Sequence, residues 1–216
     1  GDVSVRTPAT LTIMSGVTVT ESASFYQLVV DQSGSLVANG VTFDQEVVVG
    51  GTSSGTFNAN NSTFSKGVVF KSSSAGTIQN GSSTAGMFRF EDGASPTISG
   101  MNFTVNVPVE TVGEFVPNLF NNTFVPNSQF NILGGVINQN TTWNVPNVKT
   151  YFLSSSLSGD VSVRTPATLT IMSGVTVTES ASFYQLVVEQ GGSLIADGVT
   201  FDQEVIVGNS NAGTVQ

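Results

Sequence analysis

The side chains able to do chemistry are few, and two of the most versatile kinds are missing. The 216-residue chain carries 15 Asp and Glu, six Lys and Arg, no His and no Cys. Without His, the commonest general base and metal ligand is absent, and serine–histidine–acid chemistry is excluded. Without Cys there is no thiol nucleophile, no thiolate zinc site and no disulfide framework. What remains is carboxylate chemistry. Asp44 and Glu46 stand two apart and return as Asp202 and Glu204, while Glu91 adjoins Asp92. A spacing of two puts both members on one face of a strand. Oxygen ligands of this kind hold calcium, and two carboxylates at working distance hydrolyse glycosides. Here the acids are thinly spread and no motif joins them. They read as a solvated outer face, with no catalytic residue, no metal ligand and no cofactor site. The chain is expected not to be an enzyme.

The basic residues read as structural too. Arg89 with Glu110, and Lys71 with Glu91, occupy equivalent places in successive short units, so each pair is expected to meet across units. A polyanion site at Lys66, Lys71 and Arg89 is the sharper alternative. A net charge of −9 argues against nucleic acid and against anionic membrane surfaces. No apolar run approaches the ~20 residues of a membrane span, so no membrane insertion is expected in this segment. Thr-x-Thr at Thr10/Thr12 and Thr18/Thr20 would suit an ice-binding face only if it recurred on successive turns, which the sequence does not show. Asn-x-Ser/Thr occurs at Asn60, Asn61, Asn80, Asn102, Asn121 and Asn140. Several of these coincide with turn positions and read as turn chemistry.

The frame that must position these residues is a set of repeats. Residues 1–30 return unchanged as 159–188. The match runs on to Gly50 and Gly208 with five substitutions: Asp31/Glu189, Ser33/Gly191, Val37/Ile195, Asn39/Asp197 and Val48/Ile206. The chain therefore reads as one continuous segment over 1–216, with a long repeat of 158 residues (1–158) and a partial second copy over 159–216. Both ends fall inside the array, as expected for a piece of something longer.

A shorter beat runs inside the long one. Leu11, Leu28, Val47, Val68, Phe88, Val109, Phe130 and Tyr151 each open an apolar–x–apolar triplet, and Leu169 restarts the series. The spacings are 17 to 21 residues. An aromatic column keeps the same time at Phe43, Phe64, Phe103, Phe124, Trp143 and Phe201, with a gap near Thr84. Three residues before each aromatic stands Gly40, Asn61, Gly100, Asn121, Asn140 or Gly198. Gly and Asn tolerate positive φ, which predicts a left-handed corner in every unit.

Val, Thr, Ile and Phe dominate short alternating stretches, and no segment carries a helical period. With 39% apolar and 10% charged residues the chain is neither disordered nor too short for a core. A unit of ~20 residues with fixed apolar columns is one coil of a parallel β-solenoid, stacked like on like. The spacing predicts an all-β fold of about eleven coils with almost no helix. In coil length and in the [Gly/Asn]-x-[Thr/Asn]-[Phe/Trp] column, the chain resembles the right-handed parallel β-helix repeat regions of large bacterial surface proteins and adhesins, of the haemagglutinin-like and pectin-lyase-like kind. The resemblance implies an extracellular, cell-surface structural protein. In that reading the chain is a stiff spacer in a fibre, stalk or adhesin. Its partners are neighbouring copies of the same repeat, end to end, and glycans or another cell surface through a distal module. The alternative is a carbohydrate-binding or polysaccharide-degrading β-helix protein, with Tyr26, Phe115 or Tyr184 as an outward stacking platform.

Overall fold

The computed structural model describes residues 1–21, 26–154, 159–179, 184–189, 191–208 and 213–215. Its strands are short, mostly three to five residues, and among the described residues the ladders set out below are parallel and join successive turns. The fold is an all-β parallel β-solenoid with one short helix. By their contacts the residues form two compact units, one of residues 1–109 with 121–125 and one of 110–120 with 126–216.

In the first unit the turns stack as three ladders. One runs through Val3–Val5, Leu28–Val30, Val47–Val49, Gly67–Phe70 and Met87–Phe90. The second joins Thr10–Ile13, Ser35–Asn39, Thr56–Asn60, Ala75–Gln79 and Ser95–Ser99. The third joins Thr18–Thr20, Thr42–Asp44, Thr63–Phe64, Ser82–Ser83, Asn102–Phe103 and Thr123–Phe124. Alternation along each strand sends every second side chain inward, so Leu36, Phe43, Val47, Phe57, Phe64 and Val68 are fully enclosed.

The second unit repeats the plan. Ser128–Leu133, Val148–Ser154, Thr176–Glu179 and Thr200–Asp202 form one ladder. Gly135–Ile137, Val161–Val163, Leu186–Val188 and Val205–Val207 form another. Thr141–Trp143, Thr168–Ile171, Ser193–Ile195 and Thr214–Val215 form the third. A 3-10 helix, Gly113–Leu119, departs from the all-strand expectation. It buries Phe115, Val116 and Leu119 and is tied down by three hydrogen bonds. The Trp143 indole N–H donates to the Gly113 carbonyl at 3.0 Å. Glu114 Oε1 accepts from the backbone N–H of Asn138 at 2.5 Å and of Gln139 at 3.3 Å.

The chain makes about nine turns rather than eleven. The difference begins in the first turn. Leu11 and Leu28, 17 residues apart, are not successive rungs of one column. Val3 pairs with Leu28, and Leu11 pairs with Leu36. The first coil is thus 25 residues long, carrying three strands where spacing alone suggested one beat. The second copy does the same: Val161 pairs with Leu186 and Leu169 with Leu194. Identical sequence therefore takes identical pairing in each unit.

The aromatic column holds at Phe43, Phe64, Phe103 and Phe124, and its gap is filled; Trp143 stands in another ladder, paired with Ile171, and Phe201 pairs with Val177, so these two do not share one column. Phe43 and Phe64 stack with centroids 5.2 Å apart, as do Phe103 and Phe124 at 4.9 Å. Between them the register places Ser83, not Thr84. Phe88, from the neighbouring ladder, fills the vacancy. Its ring meets Phe64 edge-on at 5.3 Å and Phe103 at 5.2 Å. The corner column holds at Gly40, Asn61, Gly100 and Gly198, all at positive φ, and extends to Asn80. Asn121 and Asn140 are not left-handed. Asn140 serves its corner with its side chain instead, accepting from the Thr168 N–H at 2.9 Å.

Candidate functional site

With the inward side chains spent on packing, any function falls to the outer faces. The acidic pairs lie there, but each is already engaged. Glu46 accepts from the Gln27 amide, and its counterpart Glu204 accepts from Gln185 at 2.6 Å. Asp44 is an exposed member of the third ladder. Among the described residues no group of three Asp or Glu is arranged to hold a metal ion. Three basic residues, Lys66, Arg89 and Arg164, sit in ion pairs. Lys66 meets Glu21 at 3.8 Å, and Arg89 meets Glu91 at 3.5 Å. Glu91 was expected to meet Lys71; the shorter route is along its own strand, two residues back. Glu110 lies in the second unit, where the Ser154 hydroxyl donates to it at 3.4 Å. Of the expected Lys66, Lys71 and Arg89 site, Lys66 and Arg89 thus each face a carboxylate.

Of the three candidate platforms, Phe115 is buried by the 3-10 helix and cannot stack on a ligand. Tyr26 is exposed and Tyr184 half-exposed. The sequence reading missed the helix because Gly-Glu-Phe-Val-Pro-Asn-Leu is too short for an apolar period to appear.

The outer face of the third ladder is a column of short polar side chains. Thr18, Thr42, Thr63, Ser82, Asn102 and Thr123 stack in register. The second members of the pairs do not keep pace, since Thr20 stacks on Asp44. A Thr-x-Thr lattice therefore does not form.

The second ladder carries a trough between two outward columns. A groove of about 190 Å³ is lined by Val37, Asn39, Asn58, Asn60, Thr77 and Gln79 among others. Its amides are partly tied to one another. Asn80 donates to Asn60 at 3.2 Å, and Asn58 accepts from the Thr77 N–H at 3.0 Å. The second copy forms a groove of about 200 Å³ against Thr170, Met172, Ile195 and Asp197. Ile195 and Asp197 are the counterparts of Val37 and Asn39. Two of the five differences between the copies thus lie on this ladder's outer face, each lining a groove in its own copy.

A third difference changes a loop. Asp31 is buried and gathers the loop between Val47–Val49 and Thr56–Asn60: its carboxylate accepts from the Thr52 hydroxyl at 2.8 Å and the Ser53 N–H at 3.0 Å. Burial alone would raise its pKa. Donation from the Thr52 hydroxyl and from the N–H groups of Gln32, Ser53 and Thr52 outweighs this and brings it down to about 2. The longer Glu189 reaches Arg164 at 2.5 Å instead. Because the folded pKa of Asp31 lies below its ordinary value of 3.8, its contribution is present above about pH 4 and is lost as pH falls toward 2. Urea midpoints at pH 6, 4 and 2.5 should drop more steeply below pH 4 for wild type than for Asp31→Asn. Parallel curves would show that this carboxylate does not anchor the loop.

Comparison with family models, with curated proteins and with solved structures gives no significant match.

Proposed function

We propose that the chain is a structural segment of an extracellular fibre, stalk or adhesin at the cell surface, a stiff spacer with no catalytic role, of the haemagglutinin-like or pectin-lyase-like β-helix kind. One observation carries this: two copies of the same sequence adopt the same ladder pairings, so each copy adds coils of one pattern. A polypeptide that lengthens by whole coils sets a distance, because each stacked coil adds about 4.8 Å of backbone-bonded rise. The kept interior supports the same reading. Ser33, Val37 and Asn39 differ at exposed or half-exposed positions, Asp31 at a buried loop position and Val48 at the buried centre of its strand, while the inward Leu28, Val30, Leu36, Phe43, Val47 and Val49 are kept. The test is a series of chains carrying one, two and four copies of residues 1–158. Contour length in electron micrographs should grow in equal steps per copy. A length that stays constant, or particles that collapse into separate globules, would overturn the spacer reading.

The trough supports a second reading, a carbohydrate-binding surface, because its outward columns in the first unit present the amides of Asn39, Asn58, Asn60 and Gln79 and the hydroxyl of Thr77. A glycan array separates the two. Saturable binding that is lost on Asn39→Ala and Asn60→Ala would favour the binding module.

A further inference from the structure

The geometry points to Asn80–Gly81 as a site of self-modification, where the Asn80 amide is converted to a carboxylate through a cyclic imide. The site belongs to one corner of the fold and is independent of the spacer and binding readings above. The chemistry needs an Asn followed by a main-chain nitrogen that is uncrowded and not engaged. The chain has two Asn-Gly pairs, Asn39-Gly40 and Asn80-Gly81. The fold treats them differently. Asn39 is the last residue of the strand Ser35–Asn39, so Gly40 takes the corner. The Gly40 N–H donates to the Asn60 carbonyl at 2.9 Å. The nitrogen that would attack Asn39 is thus held by a backbone bond to the next coil.

At Asn80-Gly81 the pair is shifted by one place. Asn80 itself takes the corner, exposed and at φ +55°. Its own N–H makes the bond to the next coil, to the Ser99 carbonyl at 3.1 Å. Gly81 therefore falls just after the corner, in the column of Val41 and Met101. Those two N–H groups are capped by the side chain that the following coil places in the same column. Val41 donates to Ser62 Oγ at 3.3 Å, and Met101 donates to Asn122 Oδ1 at 3.0 Å. For Gly81 the following coil supplies Met101, a thioether with no oxygen to offer. Among the described residues the Gly81 N–H has no hydrogen-bond partner. Glycine is also required at this place. A Cβ on Gly81 would stand 2.2 Å from the Ser62 carbonyl oxygen, which is backbone and cannot turn aside. Packing between coils thus sets the least crowded of nitrogens beside an exposed amide.

The step balances with water as the sole co-reactant. The Gly81 nitrogen bonds to Asn80 Cγ and gives up its proton to solvent. The Cγ–Nδ2 bond breaks, and Nδ2 takes up a proton and leaves as ammonia. Water then opens the imide ring. Opening at Cγ gives an aspartate. Opening at the main-chain carbonyl gives an isoaspartate, with an extra carbon in the backbone. No atom is oxidised or reduced. Either product removes the donor with which Asn80 Nδ2 meets Asn60 Oδ1 at 3.2 Å, and sets a negative charge beside that oxygen.

The experiment is peptide mapping by mass spectrometry of the full chain, incubated in mildly alkaline buffer with and without denaturing urea. Conversion at each position is read from the mass change, and isoaspartate from enzymatic methylation. In the folded chain Asn80 should convert at least about twofold faster than Asn39, because the Gly40 N–H must first break its backbone hydrogen bond. In urea both nitrogens are free and both pairs are Asn-Gly, so the ratio of rates should fall toward unity. The unfolded chain thus separates an effect of the fold from an effect of local sequence. No conversion at Asn80 in the folded chain, a smaller ratio than this, or a ratio that urea leaves undiminished would each overturn the proposal.

Discussion

Phe88→Ala is expected to cost about 3–5 kcal/mol, the range for removing an enclosed Phe from a packed core. The ring does two jobs. It is fully buried in its own ladder, and it occupies the space that Ser83 leaves in the aromatic column, edge-on to Phe64 and Phe103. The adjacent coils solve the same problem the other way round. Phe43 accompanies Val47, and Phe64 accompanies Val68, with the large residue in the third ladder and the small one in the first. Ser83 and Phe88 reverse the sizes. It follows that Ser83→Phe alone overpacks and loses about 1–3 kcal/mol. Ser83→Phe with Phe88→Val rebuilds the pattern of its neighbours and should be more stable than the two single losses added together. Urea denaturation of wild type, Ser83→Phe, Phe88→Val and the doubly substituted chain forms a double-mutant cycle. Additive losses, or a Phe88→Ala midpoint equal to wild type, would show that the two sites do not share one space.

Gly76→Ala should be nearly as damaging, at about 2–5 kcal/mol, although it adds a single methyl group. Gly76 sits at φ +143° in the strand Ala75–Gln79, paired with Phe57 on one side and Pro96 on the other. A Cβ there would stand 1.9 Å from the Phe57 carbonyl oxygen. That oxygen belongs to the backbone of the adjacent coil, so it cannot turn aside as a side chain would. An L-residue would have to change φ, and the strand would leave its ladder. Thr77→Ala, one position along and facing outward, is the control and should stay within about 0.5 kcal/mol of wild type. A Gly76→Ala chain with the wild-type denaturation midpoint would show that the strand relaxes at this point.

The sequence by itself determined the fold class and the interior. A period of about 20 residues with alternating apolar positions leaves stacking of equivalent positions as the way to bury them, and Phe43, Phe64, Phe103 and Phe124 were legible as one column. The corner at Gly40, Asn61, Gly100 and Gly198 was legible because positive φ restricts residue type. The sequence did not determine which strand lies beside which. Leu11 and Leu28 open similar triplets at nearly the right spacing, and only the pairing of Val3 with Leu28 shows that they belong to different ladders. A coil may lengthen at its corners at little cost, so residue count alone cannot assign a strand to a face. Nor could one column reveal Phe88 filling the place of Ser83, because volume is shared between ladders that are close in space and not in a single periodic pattern.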